Sequence, residues 1–186
     1  MDEQKTSKFL SFILRHKPES IGLVLNGAGW ADVGELLEAC ESNGQLISYE
    51  DLKMIVKNDN KRRYEFSDDM KLIRASQGHS ISIELGYSAK IPPAVLYHGT
   101  AQHYLAAIKQ AGLLKQKRHH VHLTESGATA TQVGARYGQA VLLTIDALAM
   151  SKNGFVFYQS HNDVWLTELV PPEYISFPFF SVCVEK

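Results

Sequence analysis

The chain has 186 residues, 45% of them hydrophobic, which is enough for one sizeable domain or two small ones. A formal net charge of −1 excludes a globally basic nucleic-acid coat, so any nucleic-acid partner must be held by a local cationic pocket. No apolar run approaches a membrane span, the first ten residues lack a signal-peptide core, and Cys40 and Cys183 stand apart without zinc-site spacing, all as expected of a cytoplasmic protein with reduced thiols.

Ser7 to His16 reads as a helix with Phe9, Phe12 and Ile13 on one face and Leu10 and Leu14 beside them; Pro18 ends it. The stretch GLVLNGAGWADV has the Gly and Asn punctuation of a turn between short extended pieces. Asp32 is the candidate cap of a second helix carrying Leu36 and Leu37, closed by Asn43-Gly44. Ser48 opens a third helix with Leu52, Ile55 and Val56 as its apolar face. Two strand-like pieces follow, Arg63 to Phe66 and Lys71 to Ala75, joined by Ser67-Asp68-Asp69. Three helices and a β-hairpin outline a winged-helix lobe over residues 1–90.

Ile91-Pro92-Pro93 reads as a linker. Beyond it the sequence predicts strands at Val95 to Tyr97, His120 to Leu123, Ala140 to Ile145, Phe155 to Tyr158 and Val164 to Leu166. Helices are predicted from His103 to Ala111, ending at Gly112, and from about Ala128 to Arg136. The expected class is α+β, with residues 91–186 forming the second lobe.

Taken singly, the polar residues have ordinary explanations. Arg15-His16 places cations at a helix C-terminus, where the dipole favours them, and Arg136 near another helix end has the same reading. Lys61-Arg62-Arg63 is a short charge run of the kind that is usually solvated. His98-Gly99-Thr100 directly follows a predicted strand, where backbone N–H groups, an imidazole and a hydroxyl would suit a polar ligand such as a nucleotide. His119, His120 and His122 form the densest histidine cluster, and on a strand His120 and His122 share a face. A metal site would need a third ligand, for which Glu125 or His98 could be offered, but no HExxH or CxxC spacing supports one, and no metal is assigned.

Together these segments resemble one family, the RNA 2′-phosphotransferases of the KptA type. The matching stretches are Leu14-Arg15-His16-Lys17-Pro18, Asp59-Asn60-Lys61-Arg62-Arg63-Tyr64, Ile73-Arg74-Ala75-Ser76-Gln77-Gly78-His79-Ser80, Tyr97-His98-Gly99-Thr100, His120-Val121-His122-Leu123-Thr124 and Val164-Trp165-Leu166-Thr167. They follow the family's order and span nearly the whole chain. The resemblance implies an N-terminal winged-helix lobe and a C-terminal ADP-ribosyltransferase-like lobe. It implies transfer of an internal RNA 2′-phosphate to NAD as co-substrate, through an ADP-ribosylated RNA 2′-phosphate. The products are 2′-hydroxyl RNA, nicotinamide and ADP-ribose 1″,2″-cyclic phosphate.

The family's phosphate-handling set maps onto Arg15, His16, Arg63 and Arg136, with Arg62 the rival of Arg63. The NAD-binding set maps onto His98, Gly99, Thr100 and His122, with Ser76, Gln77 and His79 nearby and His120 the rival of His122. Val164 stands where many ADP-ribosyltransferases carry an acid, an absence expected of this family. The implied partner is RNA with an internal 2′-phosphate, as at a tRNA splice junction, with no membrane and a monomeric enzyme. The competing readings are an ADP-ribosyltransferase that caps nucleic-acid ends or modifies protein, and a winged-helix DNA-binding regulator.

Overall fold

The structure is a computed structural model describing residues 2–178; Cys183 lies outside the described residues. It is a mixed α and β protein with six α-helices and several small antiparallel sheets among the described residues. None of these helices is long and apolar enough to cross a membrane. The chain divides into two compact units. Unit 1 takes the residues up to Tyr87 together with Lys117–His119 and Ser160–Asn162, and unit 2 takes the rest.

In unit 1, α1 (Glu3–Arg15) starts where the Asp2 carboxylate accepts a hydrogen bond from Lys5 N at 3.1 Å. Its buried face is Thr6, Leu10, Ile13 and Leu14, at helical spacing. Phe12 departs from the expected core face and is 46% exposed. It precedes Ile13 by one residue and so projects about 100° away from it. A short 3₁₀ turn, Pro18–Ile21, replaces further α-helix.

The capping signals read from the sequence are realised. Asp32 accepts from Glu35 N at the start of α2 (Val33–Ser42). Ser48 and Asp51 form a capping box on α3 (Tyr49–Asn58). Leu36 and Cys40 of α2 meet Leu52 and Ile55 of α3 and the α1 leucines in one core. A three-stranded sheet completes the unit in the order β1 (Ala31–Asp32), β3 (Leu72–Ala75), β2 (Tyr64–Phe66).

Unit 2 is built on β4 (Val95–Ala101), which pairs along its whole length with β7 (Ala140–Asp146), from Val95↔Asp146 to Ala101↔Ala140. Its core gathers Leu96, Leu123, Leu143, Ile145, Met150 and Phe157. A second sheet has the order β6 (Val121–Leu123), β9 (Trp165–Thr167), β8 (Phe157–Gln159). Helices α4 (Leu105–Ala111), α5 (Gly127–Gly134) and α6 (Ala147–Lys152) flank these sheets in the chain, and α6 follows β7 through an Asp146 cap. The two-residue strands β5 (Leu113–Leu114), β10 (Leu169–Val170) and β11 (Ile175–Ser176) complete the unit.

The expected strand end at Tyr97 is a correction. His98, Gly99 and Thr100 lie inside β4, opposite Leu143, Leu142 and Val141, and Gly99 and Thr100 are buried. What Gly99 supplies is room for α5. A Cβ built on it would lie 1.6 Å from Ala130 O, and one on Gly134 would lie 2.6 Å from Thr100 O. Helix and strand backbones approach closely here, and neither partner is a side chain that could swing aside. Gly99→Ala is therefore expected to destabilise the protein by about 3 kcal/mol, the upper part of the overpacking range. In differential scanning calorimetry the transition should fall by about 6–12 °C.

Candidate active site

Helix α1 delivers Arg15 and His16 at its C-terminal end. His16 N still donates to Phe12 O at 2.9 Å, and Pro18 prevents the helix from running on. The segment after β3 then folds back over this end. Ser80 N donates to Arg15 O at 2.9 Å, and His16 Nδ1 lies 2.9 Å from Ser80 Oγ. Gly78, with φ +89°, takes the chain across the Arg15 side chain, and a Cβ placed on it would stand 3.8 Å from Arg15 Cδ and Nη1.

Arg63 arrives from the start of β2. Its backbone N donates to Asp59 Oδ2 at 2.6 Å and its Nη1 pairs with Asp59 Oδ1. The Asp59 side chain is only 5% exposed, so this carboxylate fixes Arg63 in place. Arg62 is exposed in the preceding turn at φ +43°. Arg118 comes from the loop between β5 and β6 and is part of unit 1 with Lys117 and His119.

These groups lie close enough to feel one another's charge. Burial is the largest influence on the Arg15 guanidinium and lowers its proton affinity; Tyr64 opposes this, Arg63 and Arg118 reinforce it, and Asp59 opposes it. His16 is held below its ordinary value by burial, then by Arg15 and Arg118. Arg15 Nε and Nη2 are buried and have no hydrogen-bond partner among the described residues. Those two nitrogens form the side-on edge of the guanidinium, the fork that accepts two oxygens of one phosphate or carboxylate. Buried donors of a charged group are rarely left unpaired, and an anion at this edge would pair both.

Arg136 is in unit 2, exposed in the turn after α5. Arg118, which the sequence reading passed over, is the cation whose charge reaches both Arg15 and His16. Its only signal in the sequence was a basic run, Lys115 to Arg118, of the kind that is ordinarily solvated. Asp59 and Ser80 were also unassigned, although both lie in stretches that carried the family resemblance.

Ser76 and His79 belong to unit 1 and are 2% and 1% exposed. Ser76 Oγ donates to Arg62 O at 2.8 Å, its N donates to Arg63 O at 2.8 Å, and its carbonyl accepts from the Tyr87 hydroxyl. Those bonds anchor the segment that reaches Gln77, which is half-buried, and Gly78. Neither His79 ring nitrogen has a hydrogen-bond partner among the described residues. Burial, followed by the charges of Arg15, His119, His16 and Arg74, pushes its pKa down to about 3.

In unit 2, β4 and β6 are tied by the pair Tyr97 and Thr124, whose backbones exchange hydrogen bonds of 2.8 and 3.0 Å. One residue on, His98 Nδ1 lies 3.0 Å from His122 O. His120 precedes β6 rather than lying in it, and its ring meets Tyr158 edge-on with centroids 5.4 Å apart. The three clustered histidines thus separate: His119 goes with unit 1, His120 packs on Tyr158, and His122 sits in β6 beside His98. Among the described residues, no three His, Cys, Asp or Glu side chains form a group able to hold a metal ion.

His79 gives a prediction about stability. Its folded pKa of about 3 is below the ordinary 6.5, so the unfolded chain binds more protons between those values. The contribution of neutral His79 is complete above pH 6.5 and is lost as pH falls towards 3. The slope is up to about 1.4 kcal/mol per pH unit for one proton. Urea midpoints measured from pH 7 to 4 should fall less steeply in His79→Asn than in the wild type. Equal slopes would mean that the folded protein protonates this ring normally.

The family model for "RNA 2′-phosphotransferase, Tpt1 / KptA family" matches residues 1–169. Curated relatives carry the description "Probable RNA 2′-phosphotransferase". One from Escherichia coli is 47% identical over 182 residues, covering 97% of this chain and 94% of its own. One from Flavobacterium johnsoniae is 49% identical over 171 residues, with 92% and 94% covered, and one from Pseudomonas aeruginosa is 49% identical over 171 residues, with 91% and 94% covered. Matched over most of its length by the family model and by relatives near half identity, the chain belongs to the Tpt1/KptA family of RNA 2′-phosphotransferases.

Proposed function

We propose that this chain is an NAD-dependent RNA 2′-phosphotransferase, acting in the cytoplasm as a monomer on RNA with an internal 2′-phosphate of the kind left at tRNA splice junctions. The observation that carries the reading is the buried Nε and Nη2 edge of Arg15, unpaired among the described residues, in a cluster with Arg63, Arg118 and His16. In this reading unit 1 is the winged-helix lobe, supported by its three helices and its β1-β3-β2 sheet. Unit 2 is the ADP-ribosyltransferase-like lobe, with His98 and His122 as its NAD contacts, supported by their adjacency on β4 and β6. Gly99 and Thr100 shape the strand that carries His98, and Ser76, Gln77 and His79 form the segment that covers Arg15.

When bound, NAD supplies an ADP-ribosyl group whose nicotinamide-bearing ribose carbon is open to attack. The 2′-phosphate is already an anion and needs no general base. Arg15 takes two of its oxygens on the fork and so fixes the direction of attack. Arg63, held by Asp59, adds a second guanidinium, and Arg118 adds a third. When the 2″-hydroxyl of the transferred ADP-ribosyl group attacks phosphorus, giving its proton to water, and the RNA 2′-oxygen leaves, negative charge grows on the phosphoryl oxygens and on the departing oxygen. The same guanidiniums stabilise the first, and His16 donates a proton to the second. Burial, then Arg15 and Arg118, lowers the proton affinity of His16 in the free protein, and a phosphate anion beside it acts in the opposite direction.

The test is to incubate the protein with RNA bearing one internal 2′-phosphate, with and without NAD and without added metal. The expected products are 2′-hydroxyl RNA, nicotinamide and ADP-ribose cyclic phosphate. RNA halted as an ADP-ribosylated adduct would support a general ADP-ribosyltransferase instead, and no NAD-dependent change would overturn the reading. Arg15→Ala and Arg118→Ala should each lower the rate by about 100-fold or more, as expected for loss of a charge-stabilising donor. Arg136→Ala should stay within about threefold of the wild type. The opposite ranking of the last two variants would make Arg136 the third guanidinium, as the sequence had indicated.

A further inference from the structure

Lys5, Lys8 and Phe12, on the outward face of α1, have no part in the chemistry described above. At 100° per residue, Lys5, Lys8, Phe12, Arg15 and His16 all fall within one arc of about 100°, opposite the buried Thr6, Leu10, Ile13 and Leu14. Lys5 and Lys8 are exposed, and Phe12 is 46% exposed. The Phe12 ring lies one turn from His16, with centroids 6.4 Å apart and planes at 50°. Lys8 stands one turn to the other side. The stripe therefore runs cation, cation, aromatic ring, and then the pair proposed to hold the reactive phosphate.

Phe12 is exposed on α1, whereas Leu10, Ile13 and Leu14 are buried and Phe9 packs partly buried against the core, and exposed Lys8 stands one turn away. Aromatic faces bind nucleobases by stacking, lysines bind backbone phosphates, and alternation of the two is how single-stranded nucleic acid is commonly held. Four helical residues advance about 6 Å along the axis, a length comparable to the spacing of successive phosphates in an extended strand. A protein partner would be served as well by an uncharged apolar face. Two exposed lysines on the N-terminal side of the ring, Lys8 and Lys5 with its Asp2 partner at 3.6 Å, favour a polyanion on a chain of net charge −1.

We propose that the Lys5-Lys8-Phe12 face of α1 is a track for the RNA strand adjoining the 2′-phosphorylated nucleotide. Phe12 stacks on the neighbouring base, and Lys8 meets a backbone phosphate beyond it. This rests on the proposed function, since it takes the reactive phosphate to lie at Arg15 and His16. It names Phe12 and Lys8 as specificity-determining residues that take no part in bond making.

The experiment measures binding by fluorescence anisotropy, which requires no turnover. The probes are a labelled single-stranded RNA oligomer with one internal 2′-phosphate and the same oligomer with abasic sites flanking that nucleotide. Phe12→Ala should weaken binding of the first about tenfold, in line with loss of one stacked base, and leave binding of the abasic oligomer unchanged. Phe12→Trp should restore binding. Lys8→Ala should reduce the slope of log K against log salt by about 0.7, one single-strand phosphate contact. Val24→Ala, which removes another exposed apolar side chain of unit 1, is the control and should bind as the wild type does. In turnover, Phe12→Ala should raise KM for the RNA and not for NAD, with kcat within about twofold.

Equal binding by wild type and Phe12→Ala, or an equal loss on the abasic oligomer, would overturn the track. Self-association of the wild type that Phe12→Ala abolishes, without an effect on RNA, would identify the face as a contact between copies. A wild type that binds the oligomer through Phe12 yet never transfers its phosphate would sink the proposed reaction and leave the track standing.

Discussion

Unit 1 is organised around a guanidinium whose Nε and Nη2 are buried and have no hydrogen-bond partner among the described residues. Desolvating a charged group is unfavourable by several kcal/mol unless ions or hydrogen bonds answer it, so the surrounding protein has to hold Arg15 against its tendency to seek water. The α1 core residues anchor the helix, Ser80 takes the Arg15 carbonyl, and Gly78 covers the side chain. The nearby carboxylate, Asp59, is engaged by Arg63. A carboxylate on the Arg15 fork would make a stable ion pair and remove the reason for an anion to bind. Tying Asp59 to Arg63 fixes a second cation and keeps the first one open. Structure and chemistry thus make opposite demands on one charged cluster, and this arrangement meets both.

Unit 2 solves a problem of backbone spacing rather than charge. The Gly99 and Gly134 contacts let α5 rest directly on β4, and β4 is paired with β7 throughout. A strand so fixed on one side can carry a precisely set side chain near its other edge. His98 occupies that place, one residue past the Tyr97 and Thr124 pair that joins β4 to β6. Two histidines on adjacent strands, with a ring nitrogen of one at the carbonyl of the other, hold a geometry that loops would not.

What the sequence disclosed follows from how local each determinant is. Caps and helix ends depend on a few neighbouring residues, so Asp32, Ser48, Asn43-Gly44 and Pro18 were legible. The β2–β3 hairpin was legible too, since its turn lies between two clear strand patterns. The continuation of β4 through His98-Gly99-Thr100 was not, because the tripeptide looks like a turn until β7 pairs with it. Phe12 reads as core by composition and lies on the surface by phase, a distinction that turns on a single residue of helical register. Strands of two residues, such as β5, β10 and β11, leave no periodicity to find. Arg118 escaped for a stronger reason: its significance lies in tertiary proximity to residues about a hundred positions earlier, where no local pattern points.

The division of the chain also sets an order of events during synthesis. Unit 1 is interrupted after Tyr87, resumes for Lys117–His119 and resumes again for Ser160–Asn162. Its last segment braces it: Asn162 Nδ2 donates to Lys61 O at 2.8 Å, and His161 Nδ1 lies 3.8 Å from Glu65. A nascent chain that has just completed β3 holds Arg15, His16 and Arg63 but neither Arg118 nor this brace. The cationic cluster therefore acquires its third guanidinium midway through translation and its neighbouring support only near the end. Arg118 is thus made last of the three guanidiniums, when Arg15, Arg63 and the Asp59 that holds Arg63 are already in the chain.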